Sequence, residues 1–368
     1  LTKGGIGQSG QTINFTTTAG TFTAGGTSTA ASTDGNGDAY VDLRSSASST
    51  DVTATVDASF LSSASASTTV SFRGITLTLT PASATVDADG QSTVGLTLTF
   101  RYTTGGGAIS GATATVSATS GSVAPTSPAS SASTIAVTYT APALSADSSA
   151  TVTATYRGFT VSSTITLRGI TFTLSPATAT VDADGQSTVG LTLTFRYTTG
   201  GGAISGATAT VSATSGSVSP TSPASSASPI AVTYTAPASS SDGSATTTAT
   251  YRGFTATSTI TLRGITFTLT PASATVDADG QSQVSLTLRF RYTSGGVITG
   301  ASTTVSLSGS GTLSPSGSVA SSASDITLTY TAPLSESDGS ATITVAAYKG
   351  FSALASTISF RGVVLNVS

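Results

Sequence analysis

One eight-residue pattern, an Arg-Gly pair followed by alternating apolar and hydroxyl residues, recurs four times in this chain. It reads Arg73-Gly74-Ile75-Thr76-Leu77-Thr78-Leu79-Thr80, then Arg168-Gly169-Ile170-Thr171-Phe172-Thr173-Leu174-Ser175, then Arg263-Gly264-Ile265-Thr266-Phe267-Thr268-Leu269-Thr270. The last copy is Arg361-Gly362-Val363-Val364-Leu365-Asn366-Val367-Ser368. The starts at 73, 168, 263 and 361 lie 95, 95 and 98 residues apart. A fixed period of that length means an array of like units rather than one large fold. Residues Val86 to Val123 are identical to Val181 to Val218, which points to recent duplication.

Within one period, apolar residues alternate with Thr and Ser, the pattern of half-buried strands. Ile75 to Thr80 reads as a first strand closed by Pro81, and Val86-Asp87-Ala88-Asp89-Gly90-Gln91 reads as a turn. Val94, Leu96, Leu98, Phe100 and Tyr102 mark one face of a long second strand that Gly105-Gly106-Gly107 breaks. Ala112 to Ala118 is a third strand, residues 120–131 a loop, and Ile135, Val137 and Tyr139 mark another strand. Val152, Ala154 and Tyr156 mark the next, and Phe159 to Leu167 the last. About seven short strands with no helical period predict an immunoglobulin-like β-sandwich. The fold class is therefore all-β: tandem immunoglobulin-like β-sandwiches in an extended rod. The rod follows from the junctions, where Ile165-Thr166-Leu167 runs straight into Arg168-Gly169-Ile170 with no flexible linker. Gly169 reads as the residue that permits the turn between units, and Arg168 as a side chain that pairs across the junction or is solvated.

Composition narrows the function. Charged residues are 8% of the chain and hydrophobic ones 38%. That apolar share, in strict alternation, separates it from a disordered Ser/Thr tract. There is no Cys, His or Met. Disulfides, zinc clusters, thiol nucleophiles and the commonest general base are excluded. Without His no Ser or Thr has an activating base, so no catalytic residue and no cofactor is expected. A net charge of −3 and only two lysines, Lys3 and Lys349, argue against nucleic acid. No apolar run is long enough to span a bilayer. Lacking an initial Met, the chain either begins after processing or is an excerpt of a longer one. Low charge and abundant small hydroxyl residues fit an extracellular or cell-surface protein.

The two ends differ from the middle. Gly10-Gln11-Thr12-Ile13-Asn14-Phe15 aligns with Gly111-Ala112-Thr113-Ala114-Thr115-Val116, so Leu1 stands where Tyr102 stands. Residues 1–72 then form an incomplete N-terminal domain, lacking a first strand and nearly all of a second. Residues 73–167, 168–262 and 263–360 are full repeats, and 361–368 is an orphan C-terminal strand. An incomplete sandwich exposes an apolar groove and unpaired edges, which folded proteins avoid.

Two stretches resemble the bacterial immunoglobulin-like domains of invasin- and intimin-type surface proteins. One is Leu77-Thr78-Leu79-Thr80-Pro81-Ala82-Ser83-Ala84-Thr85-Val86-Asp87-Ala88-Asp89-Gly90, repeated at 172–185 and 267–280 with small changes. The other is Thr33-Asp34-Gly35-Asn36-Gly37-Asp38-Ala39-Tyr40-Val41-Asp42-Leu43, followed by Val52-Thr53-Ala54. The resemblance implies a tandem stalk on a cell surface. No lectin-like tip domain is recognisable.

Several patterns carry two readings. Asp34, Asn36 and Asp38 are spaced as in a calcium loop, but the position that would hold the closing Glu is Ser45, and the turn reading is preferred. Asp87 and Asp89, with their copies Asp182/Asp184 and Asp277/Asp279, read as turn residues rather than metal ligands. Repeats 73–167 and 168–262 contain no Lys, which excludes internal Lys–Asn isopeptide links there. Lys349, standing where Arg157 and Arg252 stand, reads as ordinary surface chemistry, and Lys3 as a candidate for linking subunits. Asn14 and Asn366 sit in N-glycosylation sequons on outward strand positions. Tyr102, Tyr139, Tyr156 and Phe159, present in each full repeat, read as core rather than as a glycan-binding platform.

The expected function is a structural subunit of an extracellular filament whose partner is another copy of itself. Arg361 to Ser368 of one subunit adds as a strand to the N-terminal domain of the next, as in donor-strand complementation. Val363, Leu365 and Val367 fill a groove formed by Ile13, Phe15, Val41 and Leu43. Such head-to-tail contacts build open fibres. The alternatives are an excerpt of a long adhesin stalk, in which 361–368 starts the next repeat, and a glycan-binding surface module.

Overall fold

β-Branched and aromatic residues alternating with Thr and Ser give the chain little choice but strands, and a computed structural model shows almost nothing else. It describes residues 1–368 except 63, 130–133, 205, 228, 323–324 and 365–368. The chain divides into two compact units, Leu1–Ile170 and Thr171–Ser368.

The first full repeat lies in the first unit and consists of two facing four-stranded sheets. One runs, in spatial order, Ser122–Ala124, Thr134–Thr140, Thr93–Tyr102 and Ile75–Thr80, all antiparallel. The other runs Ser83–Asp87, Phe159–Arg168, Ser148–Tyr156 and Thr115–Ala118. Period two puts Leu96, Leu98, Phe100, Val137 and Tyr139 of the first sheet against Val152, Ala154, Ile165 and Leu167 of the second, all buried. Phe100 and Tyr156 meet edge to face, with ring centroids 5.3 Å apart. This is the immunoglobulin-like sandwich expected from the sequence.

Two strands were not expected. Ser122–Ala124 falls in the stretch read as loop. Ser83–Asp87 overlaps the stretch read as a turn, and it pairs in parallel with Phe159–Arg168, Val86 lying opposite Leu167. A run of five residues ending in Asp-x-Asp-Gly carries too little periodicity to announce a strand. The chain reaches it by leaving the first sheet at Pro81. Pro81's carbonyl, outside either ladder, accepts a 2.7 Å hydrogen bond from the Oγ of Ser163, a fully buried residue. Ser258 and Ser356 do the same for Pro176 and Pro271.

The second unit holds two more such sandwiches. The sheets of the middle repeat are Ser217–Ser219, Ile230–Thr235, Thr188–Tyr197, Ile170–Ser175 and, facing them, Thr178–Asp182, Phe254–Arg263, Gly243–Tyr251, Thr210–Ala213. In the third repeat the second sheet gains a fifth strand, Gly317–Ala320, beside Ser302–Gly309.

The N-terminal residues build half of this. A single four-stranded sheet, ordered Ser28–Ser32, Thr12–Thr17, Val52–Phe60 and Ala64–Phe72, matches the second sheet of a repeat without its parallel edge strand. The other strands described there form two-residue ribbons, Thr2–Lys3 with Ile6–Gly7 and Thr21–Phe22 with Leu43–Arg44.

Truncating the fully buried Leu98 to Ala should cost the first repeat about 2–5 kcal/mol, because a sandwich core closes poorly around a lost isobutyl group. Denaturant unfolding should show the earlier midpoint. An unchanged midpoint would contradict this core.

Candidate functional site

The chemistry this chain has is concentrated at the junctions between repeats. At each one the last strand of a sandwich ends in Arg-Gly, and the next sandwich starts at once. The glycine N–H donates to an aspartate carboxylate, in the pairs Gly74–Asp51, Gly169–Asp147, Gly264–Asp242 and Gly362–Asp338, at 2.7 to 2.8 Å. The following N–H donates to a carbonyl just upstream of that aspartate: Ile75 to Ser48, Ile170 to Leu144, Ile265 to Ser239 and Val363 to Ser335. The glycines are required by space, not by a turn. None has a positive φ, but an added Cβ would come within 2.5 Å or less of backbone atoms of Thr50, Ala146, Ser241 or Glu336. The turn role read for Gly169 is thereby corrected.

The arginines of the motif are anchored within their own sandwich. Arg168, Arg263 and Arg361 reach Asp87, Asp182 and Asp277 on the parallel edge strand at 2.6, 2.6 and 3.0 Å. Arg168 thus has an ion-pair partner inside its own repeat. The next carboxylate along, Asp89, is fully buried and accepts from the N–H groups of Gln91 and Ser92 and from the Ser92 hydroxyl. Asp184 and Asp279 repeat these bonds, so the second aspartate of each pair is a turn residue, whereas the first, read as a turn residue too, lies on the edge strand. Asp34 likewise accepts from the N–H groups of Asn36 and Asp38, which hold its carboxyl below the usual range. Among the described residues no group of three or more His, Cys, Asp or Glu could hold a metal ion.

The second unit shows a complete junction, between the middle and third repeats. Arg263 lies over the Tyr292 ring at 4.4 Å, and the Tyr292 hydroxyl donates to Asp182 at 3.1 Å. Lys349, on the hairpin turn after Gly339–Val345, pairs with the buried Asp184 carboxylate, and the Gly350 N–H donates to the Asp184 carbonyl at 2.8 Å. Lys349 is therefore a clamp between two sandwiches rather than ordinary surface chemistry. A pair of charges spread over two repeats has no local signature. Tyr102 packs against the core of its own sandwich and also serves the junction. It is half-buried, with the Arg73 guanidinium 3.6 Å from its ring centroid. Tyr139 and Tyr156 are buried and Phe159 is half-buried against the core, as expected.

The residues read as a docking groove lie around Phe22, whose ring centroid is 6.5 Å from that of Phe15. Ile13 and Phe15 line an apolar groove of about 370 Å³ with Leu1, Ala58, Phe60 and Ala66. Val41 lies instead in a depression with Phe22 and Tyr40, and Leu43 pairs with Phe22 in a ribbon. Val363 is 39% exposed, while Leu365, Val367 and Asn366 fall outside the described residues. Asn14 is exposed on its strand, on the outward phase that its sequon needs, and Lys3 is exposed on the first ribbon.

No family model and no curated protein matches this chain. Among solved structures it is similar to invasin, described as a bacterial integrin-binding protein, with 18% identity over 96% of this chain and 72% of that one and a TM-score of 0.24. The Escherichia coli adhesin FdeC is 15% identical over 78% of this chain and 97% of its own, with a TM-score of 0.29. The titin I9–I11 tandem is 9% identical over 78% and 98%, with a TM-score of 0.30. These neighbours are tandem immunoglobulin-like domains. At such scores neither integrin binding nor adhesion passes to this chain.

Burial pushes the Asp184 carboxyl up, but Lys349, the Ser187 hydroxyl and the N–H groups of Gln186 and Ser187 outweigh it and hold the carboxyl at about 2, against the usual 3.8. A depressed pKa contributes stability that is whole above 3.8 and is lost as the pH falls through 2. Unfolding should therefore shift to lower temperature across that window. The Asp279 turn, also held at about 2, titrates beside it, so comparison with Asp184→Asn isolates the share of the clamp. Lys349→Ala should cost about 1–3 kcal/mol at neutral pH, the range for leaving one partner of a buried polar pair unsatisfied. Calorimetry over pH 2–7 measures both.

Proposed function

We propose that this chain is a structural segment of a cell-surface stalk, a series of immunoglobulin-like sandwiches that spaces other parts apart and performs no reaction. The observation that supports this best is the junction. The same aspartate-to-glycine and backbone bonds recur four times, at Gly74, Gly169, Gly264 and Gly362. A module whose joints are built more uniformly than any pocket is suited to mechanical continuity. Low charge and hydroxyl-rich outer strand faces support an extracellular position. The recurring aromatics Tyr139, Tyr234 and Tyr330 are fully buried, which leaves them unable to serve a glycan.

A second reading, head-to-tail polymerisation with residues 361–368 as the donor strand, is favoured by one observation. The N-terminal sheet offers an apolar groove beside Ile13 and Phe15 and an edge strand, Ala64–Phe72, with no described strand on its outer side. In this reading Val363, Leu365 and Val367 enter that groove.

Light scattering of the purified chain separates the two. A stalk segment is expected to remain a single species up to about 100 μM, well above the range in which specific interfaces associate. Growth of open-ended polymers that stops when residues 361–368 are removed would overturn the stalk reading and establish the other.

A further inference from the structure

The chain has three asparagines. Asn36 sits in a turn before Gly37, and Asn366 lies outside the described residues. Asn14 stands in the middle of a strand, Thr12–Thr17, which pairs with Ser28–Ser32 on one side and with Val52–Phe60 on the other. Asparagine is a poor residue for the interior of a strand, because its short amide competes for the backbone bonds of the ladder. The complete sandwiches put a better strand former at the same place. Thr115 and Thr210 stand where Asn14 stands, opposite Thr155 and Thr250, as Asn14 is opposite Ser59.

Nothing in the fold calls for the exchange. Asn14 is exposed, and its side-chain amide makes no hydrogen bond among the described residues. Its backbone carbonyl, not its side chain, accepts from the Ser59 hydroxyl at 3.5 Å. The outward aim does not depend on what pairs with the edges of this sheet, since Thr115 and Thr210 are exposed in sandwiches built of two four-stranded sheets.

What Asn14 does have is Thr16. Residues two apart on a strand project from the same face, about 6.7 Å from one another. Thr16 is exposed there with its hydroxyl likewise unbonded, while Phe15 turns to the other face and lines the groove with Ile13. Asn-Phe-Thr is thus presented as an N-linked glycosylation acceptor, with amide and hydroxyl side by side and the bulky middle residue out of the way. The surroundings leave room for a sugar. The row across the sheet through Asn14 is Ala30, Ser59 and Ser65, and the row through Thr16 is Ser28, Asp57 and Ser67. The partners in both rows are short side chains.

We propose that Asn14 carries an N-linked glycan that stands out from this face. The donor is a sugar chain activated through the pyrophosphate of a membrane lipid. The Nδ2 of Asn14 forms the new bond to the anomeric carbon, and the bond from that carbon to the pyrophosphate oxygen breaks. The lipid pyrophosphate leaves with the electron pair, and one amide proton is released. Strands flank Asn14 on both sides, so the sugar is added before they pair. Pointing away from the core, it is carried through folding without displacing a side chain. The inference rests on the extracellular position proposed above, and on neither the stalk nor the polymer reading.

The test uses the full chain recovered from the surface fraction of the cells that make it. Trypsin cuts after Lys3 and Arg44 and frees residues 4–44 as one peptide that holds Asn14. Mass spectrometry is expected to find this peptide heavier than its sequence by a sugar chain that loses single sugar units on fragmentation. An amidase that releases N-linked sugars should leave aspartate at position 14. In the same cells Thr16→Ala should remove the sugar and Thr16→Ser should keep it, with circular dichroism confirming that both variants are folded. Asn36, outside any sequon, should stay bare. A bare 4–44 peptide in protein from the surface fraction overturns the proposal and leaves the extracellular position standing. Sugar that survives Asn14→Gln overturns it as well, by placing the modification on a hydroxyl. Recovery of the chain only from inside the cell, with the peptide bare, overturns both.

Discussion

Each sandwich depends on one short parallel pairing, that of a five- or six-residue edge strand with the strand that ends the repeat. It does three things at once. It closes the edge of a sheet that would otherwise offer unpaired backbone groups, and it seals the apolar pair at the end of the core, Ile165 and Leu167 in the first repeat. It also delivers two aspartates to the junction, one to the arginine of its own repeat and one to a tight turn. The chain pays for the crossover with a carbonyl stranded between sheets at Pro81, Pro176 and Pro271, and a buried serine satisfies it each time.

Charge is scarce in this molecule, and much of it stands at or beside the joints. The strand faces carry Thr and Ser, which add little electrostatic specificity. The aspartates at 51, 147, 242 and 338 each fix a glycine N–H, and the glycines are there because a side chain would collide with the backbone crossing beside them. A hydrogen bond from a main-chain N–H to a carboxylate is stronger and more directional than a contact between exposed side chains. That is why the joint is made from backbone and short acids rather than from long flexible ion pairs. Lys349 on Asp184 adds a side-chain ion pair, and there the carboxylate is fully buried, where the pair is shielded from water.

In the N-terminal sheet no described strand covers the outer edge of Ala64–Phe72. The same sequence pattern of strands forms, the hairpin Val52–Phe60 with Ala64–Phe72 included, but the face opposite Ile13 and Phe15 is left as a groove and Val70 and Phe72 stay half-exposed. Secondary structure there is local and survives. The core is not local and does not close.

The sequence by itself determined the all-β class, the repeat period and the alternating core, because each strand's inward residues are set by a period of two that can be read without knowing the partner strand. Only the tertiary structure decided the parallel edge strand, the junction roles of Tyr102 and Tyr292, and the Lys349–Asp184 clamp. These depend on register and on approach between residues from about 80 to 165 positions apart, such as Ser163 to Pro81 and Lys349 to Asp184, and no periodicity within a strand encodes such distances.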